Sequence, residues 1–113
     1  MYFPNYGNIT EINLSNQTKL NYPSFAHMAH LRHVKFNNSE INNMSLLFND
    51  CPNLITAPSC GPNVTNMYSS FSRCNSFIGP ASCGPNVIDM SSAYSSCYNL
   101  TTPACGNNVI DMS

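Results

Sequence analysis

A 23-residue step constrains this chain more than any other feature. Met44, Met67 and Met90 stand at that interval, as do Phe48, Phe71 and Tyr94, then Cys51, Cys74 and Cys97, then Leu54, Phe77 and Leu100. Ile41, Val64 and Val87 keep it too. In the last copy the step shortens by one position, so Val109 and Met112 follow Val87 and Met90 early. A period of this size marks a chain of supersecondary units. Each unit is too small to bury its apolar face alone and must stack on its neighbours.

Within a unit, Val64, Met67, Phe71 and Cys74 fall at i, i+3, i+7 and i+10, the spacing of one helix face. Asn43, Asn66, Asp89 and Asp111 each precede a Met, where a side-chain oxygen can cap a helix N-terminus. The spacing predicts a helix of about two to three turns. Past the Cys, a segment such as Leu54–Ser59 predicts a short strand, limited by Pro58, Pro80 and Pro103, since proline cannot donate to a ladder. Gly61, Gly84 and Gly106 follow and suit a turn with positive φ. The unit reads as strand, turn, short helix, turn. The chain reads as an α/β repeat, a solenoid of about five coils of 22–23 residues. Short parallel strands line one face and short helices the other.

The N-terminal half carries the same period in weaker form. Phe25, Met28 and Leu31 lie one full step before Phe48, Cys51 and Leu54. Leu31-Arg-His-Val34-Lys-Phe36 has an apolar strand pattern that Ile9-Thr-Glu-Ile12-Asn-Leu14 shows one shortened step earlier. The expected organisation is a single domain over 1–113. It has a capping coil at 1–20, a degenerate repeat at 21–43, clean repeats at 44–66, 67–89 and 90–111, and the start of another at 112–113. Tyr2, Phe3 and Tyr6 are candidates to shield the first coil. Asp111-Met112-Ser113 repeats Asp89-Met90-Ser91 with no capping sequence after it, so a longer native chain or a second protein is expected to cover that end.

Charged residues make up 8 % of the chain and the net charge is -1. The basic footprint of a nucleic-acid binder is missing, and a near-neutral surface suits life inside an assembly better than free solution. No apolar run is long enough to cross a bilayer. The first residues lack a basic segment followed by an apolar one, so synthesis without a secretory signal peptide is expected.

Few residues suggest chemistry. Cys51, Cys74 and Cys97 form one column, and Cys60, Cys83 and Cys105 a second. The reading favoured here is reduced, buried, space-filling cysteine. A disulfide such as Cys51 to Cys60 is the alternative, and zinc is disfavoured because the paired C-x-x-C knuckles are missing. His27, His30 and His33 are spaced by three but run from a helix into a strand, so edge histidines are expected rather than a metal site or pH switch. The Met column reads as core rather than as a soft-metal stripe. Asn-x-Ser/Thr triplets at Asn8, Asn13, Asn16, Asn37, Asn43, Asn63 and Asn99 follow from a composition rich in these residues. There is no G-x-S-x-G, P-loop or H-E-x-x-H motif. Neither a catalytic residue nor a cofactor is assigned.

The unit V-x-[Asn/Asp]-M-x-x-x-[Phe/Tyr]-x-x-C-x-x-[Leu/Phe] resembles the BspA-type leucine-rich repeats. Val64, Asn66, Met67, Phe71, Cys74 and Phe77 match position by position. The resemblance covers about 41–113 well and 9–40 weakly, and departs from the family at Ala57, Pro80 and Pro103 and in the second Cys column. It implies a leucine-rich-repeat solenoid with no catalytic residues. It also implies a role in binding and display, as in bacterial surface adhesins and phage virion proteins. The expectation is a non-enzymatic virion component of a bacteriophage (tail fibre, baseplate or capsid decoration), made in the host cytoplasm. Its partners would be proteins of its assembly and a cell-surface receptor, without nucleic acid or membrane insertion. The alternative is a fragment of a bacterial cell-surface adhesin that binds host matrix or cells. Residues between the core columns would make the contacts: Arg32, Lys35, Thr56, Ile78, Thr101 and Thr102 on the strand face, and Tyr68, Ser69, Ser92 and Tyr98 on the helix face.

Overall fold

The computed structural model describes residues 9–15, 24–37, 39, 41–58, 61–79 and 84–100. Two strands form there: β1 (Glu11–Leu14) and β2 (His33–Phe36). They pair in parallel, with Glu11 opposite His33 and Leu14 opposite Phe36. Their burial follows the strand period of two. Ile12, Val34 and Phe36 point into the core, while Glu11, Asn13 and Lys35 face out.

The expected five-coil leucine-rich-repeat solenoid with helices is overturned. Among the described residues there is no helix, and the one sheet is the two-stranded β1–β2 pair. The segment predicted as helix is a run of overlapping turns, and its backbone hydrogen bonds show why. From Met67 to Cys74, alternate N–H groups leave the copy altogether. Those of Met67, Ser69, Phe71 and Arg73 donate to the carbonyls of Asp89, Ser91, Ala93 and Ser95 at 2.7–2.9 Å. The N–H groups between them close local three-residue steps, Ser70 to Met67, Ser72 to Ser69 and Cys74 to Phe71. Tyr68 N–H donates to the side-chain oxygen of Asn66. Every donor of the segment is thus satisfied without an i→i−4 bond.

The backbone angles that permit this exclude a helix. Leu46, Ser69 and Ser92 have φ of 60°, 50° and 56°, and Asp50, Arg73 and Ser96 have φ of 61°, 66° and 64°. Each copy therefore places two non-glycine residues in the left-handed region, at equivalent positions, where an L-residue is disfavoured. His27, the equivalent of Asp50 one copy earlier, has φ 64°. Asn43, Asn66 and Asp89 do not cap helices. Each accepts the N–H two residues ahead, at 2.8–2.9 Å, an Asx turn that opens the turn run. Gly61 and Gly84 are not the positive-φ residues expected, because among described glycines only Gly79 is, at 118°. Gly61 and Gly84 instead begin Gly-Pro-Asn-Val turns, whose Val N–H returns to the Gly carbonyl at 3.4 Å.

The strand predicted at Leu54–Ser59 also fails within its described part, which keeps a single bridge, His33 with Thr56. Thr56 N–H donates to Arg32 O and Val34 N–H donates to Thr56 O, at 3.2 and 3.1 Å. The next rung would need an N–H from residue 58 to Val34 O, and residue 58 is proline. One copy further on, the connection is down to Ile78 N–H to Ile55 O.

The equivalent residues stack inside. Phe25, Phe48, Phe71 and Tyr94 form a column of near-parallel rings with centroid steps of 5.4, 5.2 and 5.4 Å. Phe36 and Phe77 join it from the side. Met44, Met67, Met90, Ile41, Val64, Val87, Leu31, Leu54 and Phe77 complete one continuous core. Corners are tied by asparagine. The Nδ2 groups of Asn53, Asn63 and Asn86 each donate to a carbonyl 24 residues back, at 2.7–3.0 Å.

Two substitutions test this packing. Ser92→Gly should raise stability by about 0.5–1 kcal/mol by relieving a left-handed residue, whereas in a helix it would lower it by a comparable amount. The midpoint of chemical denaturation reads the sign. Ser70 Oγ is fully buried without a hydrogen-bond partner, so Ser70→Ala should add about 1 kcal/mol in the same measurement.

Candidate functional site

Exposed positions recur in rows because the copies stack in register. On the strand side Arg32, Ile55 and Ile78 occupy equivalent places, linked by Ile55 N–H to Arg32 O at 2.7 Å and Ile78 N–H to Ile55 O at 3.1 Å. Arg32 and Ile78 are exposed, Ile78 by 60 %, and Ile55 is half-buried. Thr56 lies beside this row, its Oγ1 2.8 Å from His33 Nδ1. Lys35 faces outward from β2, opposite Asn13 of β1. Four of the expected contact residues, Arg32, Lys35, Thr56 and Ile78, therefore share the strand side.

The others do not join them. Tyr68 is exposed at the head of the turn run, and Tyr98, the most exposed large apolar residue among the described residues at 79 %, stands on the corner turn from Cys97 to Leu100. Ser69 is buried and Ser92 half-buried. The left-handed backbone at these positions replaces the helix that was to present them. Thr101 and Thr102 lie outside the described residues, as do Cys60, Cys83 and Cys105. Among the structural columns Met44, Met67, Met90, Phe48, Phe71, Cys51, Cys74 and Cys97 are buried, and Tyr94 is half-buried against the core. Ile55 was missed although one repeat step from Arg32 leads to it. Leu46 and Ile88 were also missed as exposed apolar positions.

An open cleft of about 260 Å³ lies where the strand ladder stops, lined by Ser15, Val34, Lys35, Phe36, Thr56, Ala57 and Pro58. Two features of the third copy create it. Ala57 is smaller than Val34, its equivalent in the second copy, and Pro58 brings no N–H to Val34 O.

The three histidines disperse. His27 Nδ1 lies 2.9 Å from Asp50 Oδ2 in an exposed pair worth about 0–1 kcal/mol. His33 meets Thr56 and His30 is exposed. Among the described residues no three His, Cys, Asp or Glu side chains converge on a metal-sized site, and no helix is long and apolar enough to cross a membrane.

Cys51, Cys74 and Cys97 are free thiols with a hydrogen-bonding role. Each Sγ–H donates to a carbonyl 26 residues back, Cys51 to Phe25, Cys74 to Phe48 and Cys97 to Phe71, at 3.0–3.2 Å. Burial raises all three above the usual thiol range, Cys51 and Cys97 to about 11 and Cys74 further. At neutral pH they stay protonated, which the donor role requires and which removes them as nucleophiles.

A pH dependence follows from this. A folded thiol pKa above the unfolded value near 9.0 means that the unfolded chain loses its proton first. Their stabilising contribution is therefore whole below about pH 9 and falls as pH rises from there through 11, each group adding up to about 1.4 kcal/mol per pH unit to the loss. Thermal melts from pH 7 to 11 should show this decline, and Cys74→Ala should make it shallower. Iodoacetamide at pH 8 should label Cys51, Cys74 and Cys97 only once denaturant is added, as read by peptide mapping.

No protein-family model, curated protein or solved structure matches this chain.

Proposed function

We propose that this chain is a non-enzymatic display protein. It is a rigid stack of short copies that holds exposed side chains at a fixed step for recognition by a protein partner or cell-surface receptor. The observation that carries this is the strand-side row of Arg32, Ile55 and Ile78. Its members are tied copy to copy by backbone hydrogen bonds and backed by a continuous core. A side chain held in this way loses little entropy on binding. Ile78 is 60 % exposed, and with the cationic Arg32 two copies along the row it gives the row the mixed apolar and charged character of an interface. The low charged fraction of 8 % supports residence in a larger assembly. The setting we propose is a bacteriophage virion, as part of a tail fibre, baseplate or capsid decoration.

The test is binding of fluorescently labelled protein to a panel of intact bacteria and to host matrix proteins. Saturable binding to particular strains is expected. Ile78→Asp should weaken it at least tenfold without a shift in melting temperature, because the side chain is largely in solvent. Binding to matrix or host cells alone would overturn the virion setting in favour of a bacterial surface adhesin. Absence of binding to either would overturn recognition as the function.

A further inference from the structure

We infer that the cleft at the end of the strand ladder is a binding site for a single acidic sugar ring of the hexuronate class. The inference rests on the display reading only in taking the strand side as the recognition face.

The lining supplies the three kinds of contact that such a ring requires. First, charge: Lys35 is exposed and is the only charged residue among the described residues that line the cleft. No ion pair occupies it among the described residues. Its neighbour across the sheet is the neutral Asn13, and among the described residues no carboxylate lines the cleft to compete for it. A single ammonium matches one carboxylate. A phosphate would call for a denser set of donors.

Second, directional polar groups: Thr56 Oγ1 spends one hydrogen bond on His33 Nδ1 and Ser15 Oγ spends one on Asn13 Oδ1. A hydroxyl can donate once and accept twice, so both keep capacity for sugar hydroxyls. Val34 O adds a backbone acceptor, because the residue that would have closed its rung is Pro58. A backbone group left without its ladder partner is costly to bury and is satisfied by whatever fills the space.

Third, an apolar wall: Pro58, half-buried, flanks the cleft above the buried Val34, Phe36 and Ala57. Its ring offers an aliphatic edge to the C–H face of a pyranose. The volume of about 260 Å³ falls below the roughly 300–1,000 Å³ of drug-sized pockets, so the site takes one ring, with any further residues of a glycan left in solvent.

Titration of the isotopically labelled protein with glucuronate, followed by amide NMR shifts, tests the inference. Saturable shifts at Lys35, Phe36 and Thr56 are expected, with glucose and acetate each binding at least tenfold more weakly. Lys35→Met should abolish the shifts, and Lys35→Arg should retain them in part. Pro58→Val supplies the missing N–H and fills the cleft, so it should abolish binding while the melting temperature holds or rises. Equal response to glucose or acetate, unsaturable shifts, or glucuronate binding that survives Pro58→Val would overturn the site. If cells bind while glucuronate does not, this inference fails alone. If glucuronate binds while cells do not, the display reading fails alone.

Discussion

Every N–H along the turn run must find an acceptor, and a chain with this period satisfies the requirement by alternation. One donor goes outward to the next copy and the following one folds back on its own. Among the described residues the pattern is complete from Met67 to Cys74, and in the preceding copy Met44, Leu46, Phe48 and Asp50 donate outward in the same order. An α-helix would have sent all these donors inward along one axis, leaving nothing to bind the next copy. The left-handed residues at 46, 50, 69, 73, 92 and 96 are the local cost of turning alternate donors out. That cost, of order 1 kcal/mol each, is offset by the outward rungs, which Leu46, Asp50, Ser69 and Arg73 themselves donate, and by the apolar column the turns bring inside.

The core follows from the rungs. A constant step along the sequence brings like residues together, so the interior consists of columns rather than a jigsaw of unlike shapes. Flat rings stack on flat rings at about the separation of the backbones, with steps of 5.2–5.4 Å. The offset, near-parallel arrangement is favourable for aromatic pairs. The thiols extend the same logic. A small side chain at position 51, 74 or 97 fits between turns and reaches a carbonyl of the preceding copy. In the case of Phe71 that oxygen also accepts Cys74 N–H. Ser70 is the exception. It stands where Leu47 and Ala93 stand in the neighbouring copies, and its hydroxyl has been carried into a column without a partner.

The columns were legible in the sequence, because residues at equal places in stacked copies share one environment and must share one character. The helix was misread for a definite reason. Overlapping three-residue turns bring residues such as Met67, Phe71 and Cys74 inward at nearly the spacing of a helix face, so apolar periodicity alone does not separate the two. Composition held the better signal. Ser69-Ser70, Ser91-Ser92 and Ser95-Ser96 are poor helix interior and good turn material. The exposed row was partly legible, since Arg32 and Ile78 imply Ile55 between them. The cleft was not, because it arises from what Ala57 and Pro58 withhold from the copy before them.

The uneven distribution of bonds around the perimeter has a mechanical consequence. Among the described residues, the turn run contributes four rungs between the third and fourth copies, from Met44, Leu46, Phe48 and Asp50, whereas the strand side contributes one, from Ile78. A column fastened in this way carries lateral load mainly along the turn run and the core behind it. Arg32, Ile55 and Ile78 stand on the opposite wall, so the constancy of their step is set by rungs and packing remote from the displayed side chains, and a substitution in the display row leaves that step in place.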